Sequence, residues 1–488
     1  MLGQKVARGA ALLTTLQFVM KCVDAVTLVI MARLLTPADF GLVALAASVL
    51  AIIGAVTELS VSEVLIQRQA IEPEDLDTAF TLGLLRGLLV MLIIMAAALP
   101  VAAIYQDHRL ALILCVMSLI PFISGLANPA LVQFLHRLEY GPGARLQIVG
   151  RLGGIAVSVA LAYATGSYWA LIASQLSAAL ITTGYSYRIV AYRPKFRFEG
   201  ARSILGFAGW VTASRVIWTA NLQADRFLIG YILGKPQLGQ YTVGSDISSM
   251  ATYAFAGPIM KTMFGGFARL QGQGERMRAA YLKCQQMLVI VVLPFGFGLS
   301  VIADLLVPLV LGPNWDDAIA AIRWIAPVVS LQVLYLPMLS LAMALAQPRA
   351  VAVRETMNLA MRLPVTLVGA WYFGFLGAVI ARTFSGLAII FMTLVLARRF
   401  IQISVLRQIT NVWRSLVSAT VMAGGVELLK TGIEPPAEML MRIGEVALLV
   451  GAGGLLYVGT HLALWMATGR PDGAERFIFD MISRRGKA

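Results

Sequence analysis

Charge is what this chain has least of. Only 13% of its 488 residues are Asp, Glu, Lys or Arg, while 59% are apolar and the mean hydropathy is +0.80. A soluble domain carries about 25% charged residues, so this chain could not cover itself with a hydrated surface. That excludes an ordinary soluble protein and leaves a polytopic membrane protein. Cysteine is nearly absent as well. Cys22, Cys115 and Cys284 stand alone in apolar runs without disulfide or metal spacing, and they read as packing residues. His108, His136 and His461 lie far apart and suggest neither a metal site nor a catalytic triad. No cofactor or metal is expected. A secretory cleavage signal is missing too: Lys5 and Arg8 precede an apolar run, but no Ala-x-Ala site follows. The run is long enough to span and reads as a first helix.

What is present is a series of long apolar stretches. A spanning helix needs about 20 largely apolar residues, and about fourteen stretches qualify. Six fall near 10–32, 38–60, 79–104, 110–128, 148–165 and 168–189. Six more fall near 204–231, 240–266, 284–303, 319–345, 356–374 and 377–396, and the last two near 413–429 and 443–466. The connectors sort by charge. With the N-terminus in the cytoplasm, about 25 Lys and Arg fall on the cytoplasmic side and about five (Arg33, Arg109, Lys235, Lys430 and Arg442) on the other. Both termini come out cytoplasmic. The net charge of +14 then reflects topology and attraction to anionic membrane lipid, and nucleic-acid binding has no separate support. An even number of spans in each half gives both halves the same orientation. The expected fold is therefore all-α, with two six-helix bundles related by a parallel pseudo-two-fold repeat plus a C-terminal helix pair. The expected divisions are 1–203, 204–409 and 410–488, with a site near the midplane between the two bundles. The longest connectors, 60–78 and 129–147, read as cytoplasmic, and none is long enough for a separate folded domain.

Each half opens with a charged apolar helix. LQFVMKCVDAVTLVIMARLLTPADFGLVA carries Lys21 and Asp24, and SRVIWTANLQADRFLIGYILGKPQLGQY carries Arg215, Asn221, Asp225 and Arg226. A charge at a helix centre costs roughly 2.5–3.5 kcal/mol on insertion scales, so such residues face protein or a water-filled cavity. Lys21 and Asp24 are three apart and share a helix face with Gln17; Arg215 and Arg226 project from one side, with Asn221 and Asp225 in a neighbouring stripe. Lys261 follows Gly257-Pro258, where a bend can open the helix toward a cavity. Arg86, Arg151 and Arg323 sit near span ends, where a long side chain can reach the interface. Two readings of the deep charges stand: structural pairs, such as Lys21 with Asp24, or a cation-rich cavity for an anionic substrate such as a phosphate or pyrophosphate.

MARLLTPADFGLVALA and ADRFLIGYILGKPQLGQY resemble the polysaccharide transporters of the multidrug/oligosaccharidyl-lipid/polysaccharide flippase superfamily, the Wzx-type flippases among them. The LLTPxDFG segment is the sharper motif, and the second turn departs from the pattern at Lys235-Pro236-Gln237. The resemblance implies a bacterial inner-membrane flippase for an undecaprenyl-pyrophosphate-linked oligosaccharide, working by alternating access in exopolysaccharide, capsule or lipopolysaccharide biosynthesis. It raises a polysaccharide polymerase and co-polymerase as further partners. On this reading Lys21, Asp24, Arg215, Asn221, Asp225, Arg226 and Lys261 surround the head group, and no residue is catalytic. Two alternatives remain. A cation-coupled multidrug exporter would have about twelve spans and an acid-dominated cavity. A membrane polymerase or glycosyltransferase would need a substantial outer loop with acid/base residues, whereas the outer polar clusters here are Asp107-His108-Arg109 and Asn314-Trp315-Asp316-Asp317.

Overall fold

The computed structural model describes residues 2–58, 65, 72–137, 139–198, 201–345, 347–432, 438–471 and 473–476; stretches such as 2–14 and 201–214 are described by their backbone alone. All regular structure among them is helical. Eight helical stretches among the described residues are long and apolar enough to cross a membrane. By packing, the chain divides into two compact units, Met1–Thr242 and Val243–Ala488.

The first unit holds α1 (Leu2–Leu34), α2 (Pro37–Val56), α3 (Pro73–Ile104), α4 (His108–Met117), α5 (Leu119–Gly125), α6 (Val132–His136), α7 (Gly141–Thr165), α8 (Trp169–Ile189) and α9 (Ala201–Ile232). It also contains the start of α10 (Lys235–Arg269). The turn between α1 and α2 shows what the TPADFG segment does. Thr36 is the N-cap of α2, Pro37 takes the first helical position, and Asp39 completes a capping box. The Asp39 amide donates to Thr36 Oγ1 at 3.3 Å, and the Thr36 amide donates to Asp39 Oδ2 at 3.0 Å. The α9–α10 turn starts its helix differently, through Gly234 at φ 88° in the left-handed region.

The two turns then meet. A Cβ on Gly41 would stand 1.9 Å from the Lys235 carbonyl oxygen, and one on Gly239 would stand 1.8 Å from that of Pro37. The contact is reciprocal: each glycine lies four residues after the first residue of its helix and admits the first residue of the other. Only glycine leaves room for that approach. Where helices pack in lipid there is little hydrophobic drive between them, so close approach and interhelical hydrogen bonds hold the bundle. Helix α9 lies along α2, α1 packs on α7, and α7 pairs closely with α8.

The second unit contains α11 (Gly274–Val310), α12 (Asp316–Leu331), α13 (Leu336–Ala344), α14 (Pro348–Ile401), α15 (Val405–Thr410), α16 (Trp413–Thr431) and α17 (Met439–Ala467). Helix α14 is two helical arms joined at Gly374, whose φ of 62° breaks the helix. The core of this unit joins α11, α13, α14, α16 and α17 through Tyr281, Leu288, Leu341, Leu394, Met422 and Leu449. Helices α16 and α17 pack on each other and on α11. Arg414 of α16 donates to Glu475 Oε1 at 3.0 Å through Nε, holding the segment that follows α17 against the helix pair. Burial pushes the Glu475 carboxyl up, but the neighbouring His461 ring and the Arg414 guanidinium outweigh it and leave the group below its ordinary range.

Candidate functional site

The structure gives most of the deep charges of the first unit specific partners. Asp24 receives Arg151 Nε at 2.7 Å, so the α1 carboxylate is tied to α7. Lys21, one turn away on α1, is exposed. Spacing along the helix suggests Lys21 as the neighbour of Asp24, and only the approach of α7 brings in Arg151. Arg151 reaches an acid rather than the membrane interface because that acid stands within reach of its side chain.

On α9, Arg215 Nη1 lies 2.8 Å from Glu58 Oε1. The other oxygen of Glu58 lies 3.3 Å from Arg86 Nη2. Arg86 also donates to the Thr57 carbonyl at 2.8 Å and the Gly54 carbonyl at 3.0 Å, satisfying the open C-terminal end of α2. One carboxylate thus bridges two guanidiniums, and the trio carries a surplus positive charge. Nothing in the sequence singles out Glu58, because it lies at the end of an apolar run, where an acid is unremarkable.

Three turns further along, Arg226 Nη1 donates to Gln223 Oε1 at 3.2 Å, and the same oxygen accepts from Ser48 Oγ of α2 at 2.9 Å. Asn221 and Asp225 are buried, 3% and 1% exposed. The Asn221 side-chain amide donates to the Ile217 carbonyl at 3.3 Å, and Asp225 Oδ2 accepts from the Tyr241 hydroxyl at 2.5 Å. The two α9 stripes therefore differ: Arg215 and Arg226 are partly accessible, while Asn221 and Asp225 are packed. The Lys261 side chain lies outside the described residues.

Beside the paired glycines, Lys235 Nζ binds Asp107 Oδ2, and Arg109 Nη2 reaches the same oxygen at 3.0 Å. Burial raises the Asp107 carboxyl, but the hydrogen bonds from Arg109 and Lys235 prevail and hold it well below the usual carboxylate range. The Tyr105 hydroxyl donates to the Phe227 carbonyl at 3.1 Å, and its ring meets Tyr231 edge-on. The second unit has a buried cation that the sequence spans leave just outside. Arg354, 5% exposed, donates to Thr393 at 3.2 Å, pairs with Glu355 and lies 5.0 Å from the centre of the Tyr335 ring.

These features define an all-helical membrane protein in which ion pairs tie α1 to α7 and α9 to the segment that ends α2. The chain belongs to the family described as polysaccharide biosynthesis protein, which matches residues 30–320. It is 25% identical over 296 residues to the succinoglycan biosynthesis transport protein ExoT of Rhizobium meliloti (strain 1021), covering 60% of each chain. It is 24% identical over 333 residues to the lipopolysaccharide biosynthesis protein WzxC of Escherichia coli (strain K12), covering 66% of each. The matched region is thus just under two thirds of the length of these relatives. Among solved structures, the chain superposes on the lipid II flippase MurJ in its inward closed conformation with a TM-score of 0.73 at 11% identity, over 93% of this chain and 99% of that one. That likeness establishes the fold, a multi-pass membrane architecture. The family is the one that the TPADFG and DRFLIG segments resemble.

Proposed function

We propose that the chain is a transporter without a catalytic step of its own, which moves a lipid-linked oligosaccharide between the leaflets of a bacterial inner membrane. The observation that carries this reading is membership of a polysaccharide biosynthesis family in a chain that shares a flippase fold over almost its whole length. The proposed substrate is an oligosaccharide on undecaprenyl pyrophosphate, taken from the cytoplasmic to the periplasmic leaflet by alternating access. An inside-negative potential favours outward movement of an anion by about 2.3 kcal/mol per charge per 100 mV. A periplasmic polymerase with its co-polymerase would consume the product and draw the process forward.

The proposed membrane arrangement is fourteen spans in two halves of six and a final pair, with residues 1–203, 204–409 and 410–488 as the divisions and both termini cytoplasmic. The strong excess of Lys and Arg on alternate connectors supports this arrangement.

The head group is proposed to engage Lys21, Arg215, Arg226 and Lys261, with Asp24, Asn221 and Asp225 setting the positions of the neighbouring groups. A pyrophosphate accepts several charge-assisted hydrogen bonds at once, and the guanidinium fork suits it. Arg226→Ala should then stop export while the protein still reaches the membrane at normal level, with lipid-linked precursor accumulating on the cytoplasmic side. Arg226→Lys should restore export in part. Normal precursor turnover in a well-expressed Arg226→Ala protein would remove Arg226 from the site.

A further inference from the structure

The first unit contains a cavity of about 480 Å³ that the charged residues of α1 and α9 do not explain. Its walls come from the end of α2, from α3 and α5, and from the connector that leads through α6 into α7. That connector is one of those read from charge as cytoplasmic, so the cavity lies at the end of the unit where a substrate made in the cytoplasm would arrive. The volume falls within the range of about 300–1,000 Å³ typical of small-molecule sites.

The chemistry of the lining is mixed, with two carboxylates and one guanidinium. Glu58 and Arg86 stand on one side, and Ser124, Phe134, Glu139 and Gln147 contribute elsewhere. Glu58 is already bridged to Arg86 and Arg215, and Glu139 adds a second carboxylate to the lining. A second anion gains little in such a place. A neutral ring bearing many hydroxyls gains more: Ser124, Glu139 and Gln147 are exposed and offer a hydroxyl, a carboxylate and an amide, covering both donor and acceptor roles. Phe134 adds a half-buried apolar ring surface against which the C–H face of a pyranose can rest.

We propose that this cavity binds sugar residues of the transported head group, those next to the pyrophosphate. The inference rests on the flippase reading and deepens it. The link between cavity and cation site is Glu58, which lines the cavity and holds Arg215 at 2.8 Å. A pyrophosphate at Arg215 would therefore stand at the cavity wall, with its first sugar within reach of the interior. The cavity also makes repeat-unit preference a property of the residues on α5 and α7 rather than of the charged helices.

Gly143 allows a clean test, because it lines the cavity and a Cβ there meets nothing within 4 Å. Gly143→Trp should place an indole into this space, starting from a Cβ that meets no neighbour. The protein is placed in nanodiscs, and its affinity is measured for undecaprenyl pyrophosphate and for undecaprenyl-pyrophosphate-linked oligosaccharide extracted from the producing cells. The wild type should bind the sugar-bearing lipid roughly tenfold more tightly, the contribution of one or two net hydrogen bonds. Gly143→Trp should reduce that preference below about twofold while keeping the affinity for undecaprenyl pyrophosphate. Glu139→Gln combined with Gln147→Leu, which leaves the backbone and volume nearly unchanged, should reduce it as well and serves if the tryptophan variant does not fold. Equal affinity of the wild type for the two lipids overturns the inference, as does a preference that survives in the variants. A wild type that binds neither lipid overturns the flippase reading itself, and the cavity assignment falls with it.

Discussion

Replacing Gly239 by alanine is the sharpest mechanical test of the fold around the charged helices. The added Cβ would lie 1.8 Å from the Pro37 carbonyl oxygen, where ordinary contact begins near 3.4 Å. The obstacle is backbone, not the flexible end of a side chain, so the starts of α2 and α10 must separate by roughly 1.5 Å or deform. Overpacking typically costs about 1–3 kcal/mol, and this collision belongs at the upper end. Gly41→Ala meets the Lys235 carbonyl oxygen at 1.9 Å and should cost about as much. Because one separation relieves both collisions, the double variant should cost clearly less than the sum of the two. Gly54→Ala is the internal control. It lies in α2 as well, nothing stands within 4 Å of its Cβ, and alanine there should gain about 0.5–1 kcal/mol in helix propensity. The assay is thermal unfolding of the detergent-solubilised proteins, read by the loss of the monodisperse peak. Gly239→Ala should melt well below the wild type and Gly54→Ala at or above it. A Gly239→Ala protein that melts with the wild type, or full additivity in the double variant, refutes the reciprocal contact.

Three further outcomes are expected. Exchanging Asp24 and Arg151 (Asp24→Arg with Arg151→Asp) should restore much of the protein level lost in either single variant, whereas exchanging Lys21 and Asp24 should not; immunoblots of membranes decide between the two pairings. The Asp107 carboxyl is held below its ordinary range, so the stability it contributes is complete above its unfolded pKa of about 3.9 and is lost only as the pH falls through its lower folded value. The melting difference between wild type and Asp107→Asn should therefore stay constant from pH 8 to pH 5, and a difference that disappears by pH 6 would contradict the Lys235–Asp107–Arg109 cluster. Cysteine at Gln237 should be labelled by an impermeant reagent added to the periplasm, and cysteine at Gln273 only from the cytoplasm; labelling of both from one side overturns the proposed fourteen-span topology.

The sequence by itself determined the class of protein and the placement of its helices, because both follow from local composition. With 13% charged residues and long apolar runs, no soluble fold was available, and breaks between runs marked where helices end. The TPADFG turn was legible as a turn, since an N-cap threonine, a proline at the first helical position and an acid three residues after the cap all act within one turn of helix. What the sequence could not supply was the partner of each charge. Asp24 has Lys21 three residues away, yet it binds Arg151, 127 residues on. Arg215 lacks a neighbouring acid at helical spacing and takes Glu58 from just beyond the end of α2. The glycines four residues into α2 and α10 look ordinary in the chain, and only the approach of the two backbones shows why no side chain fits there. Helical periodicity sets which face a residue occupies, but the packing of one helix on another decides what that face meets. Ion pairs, close contacts and cavities between helices therefore belong to the tertiary structure alone.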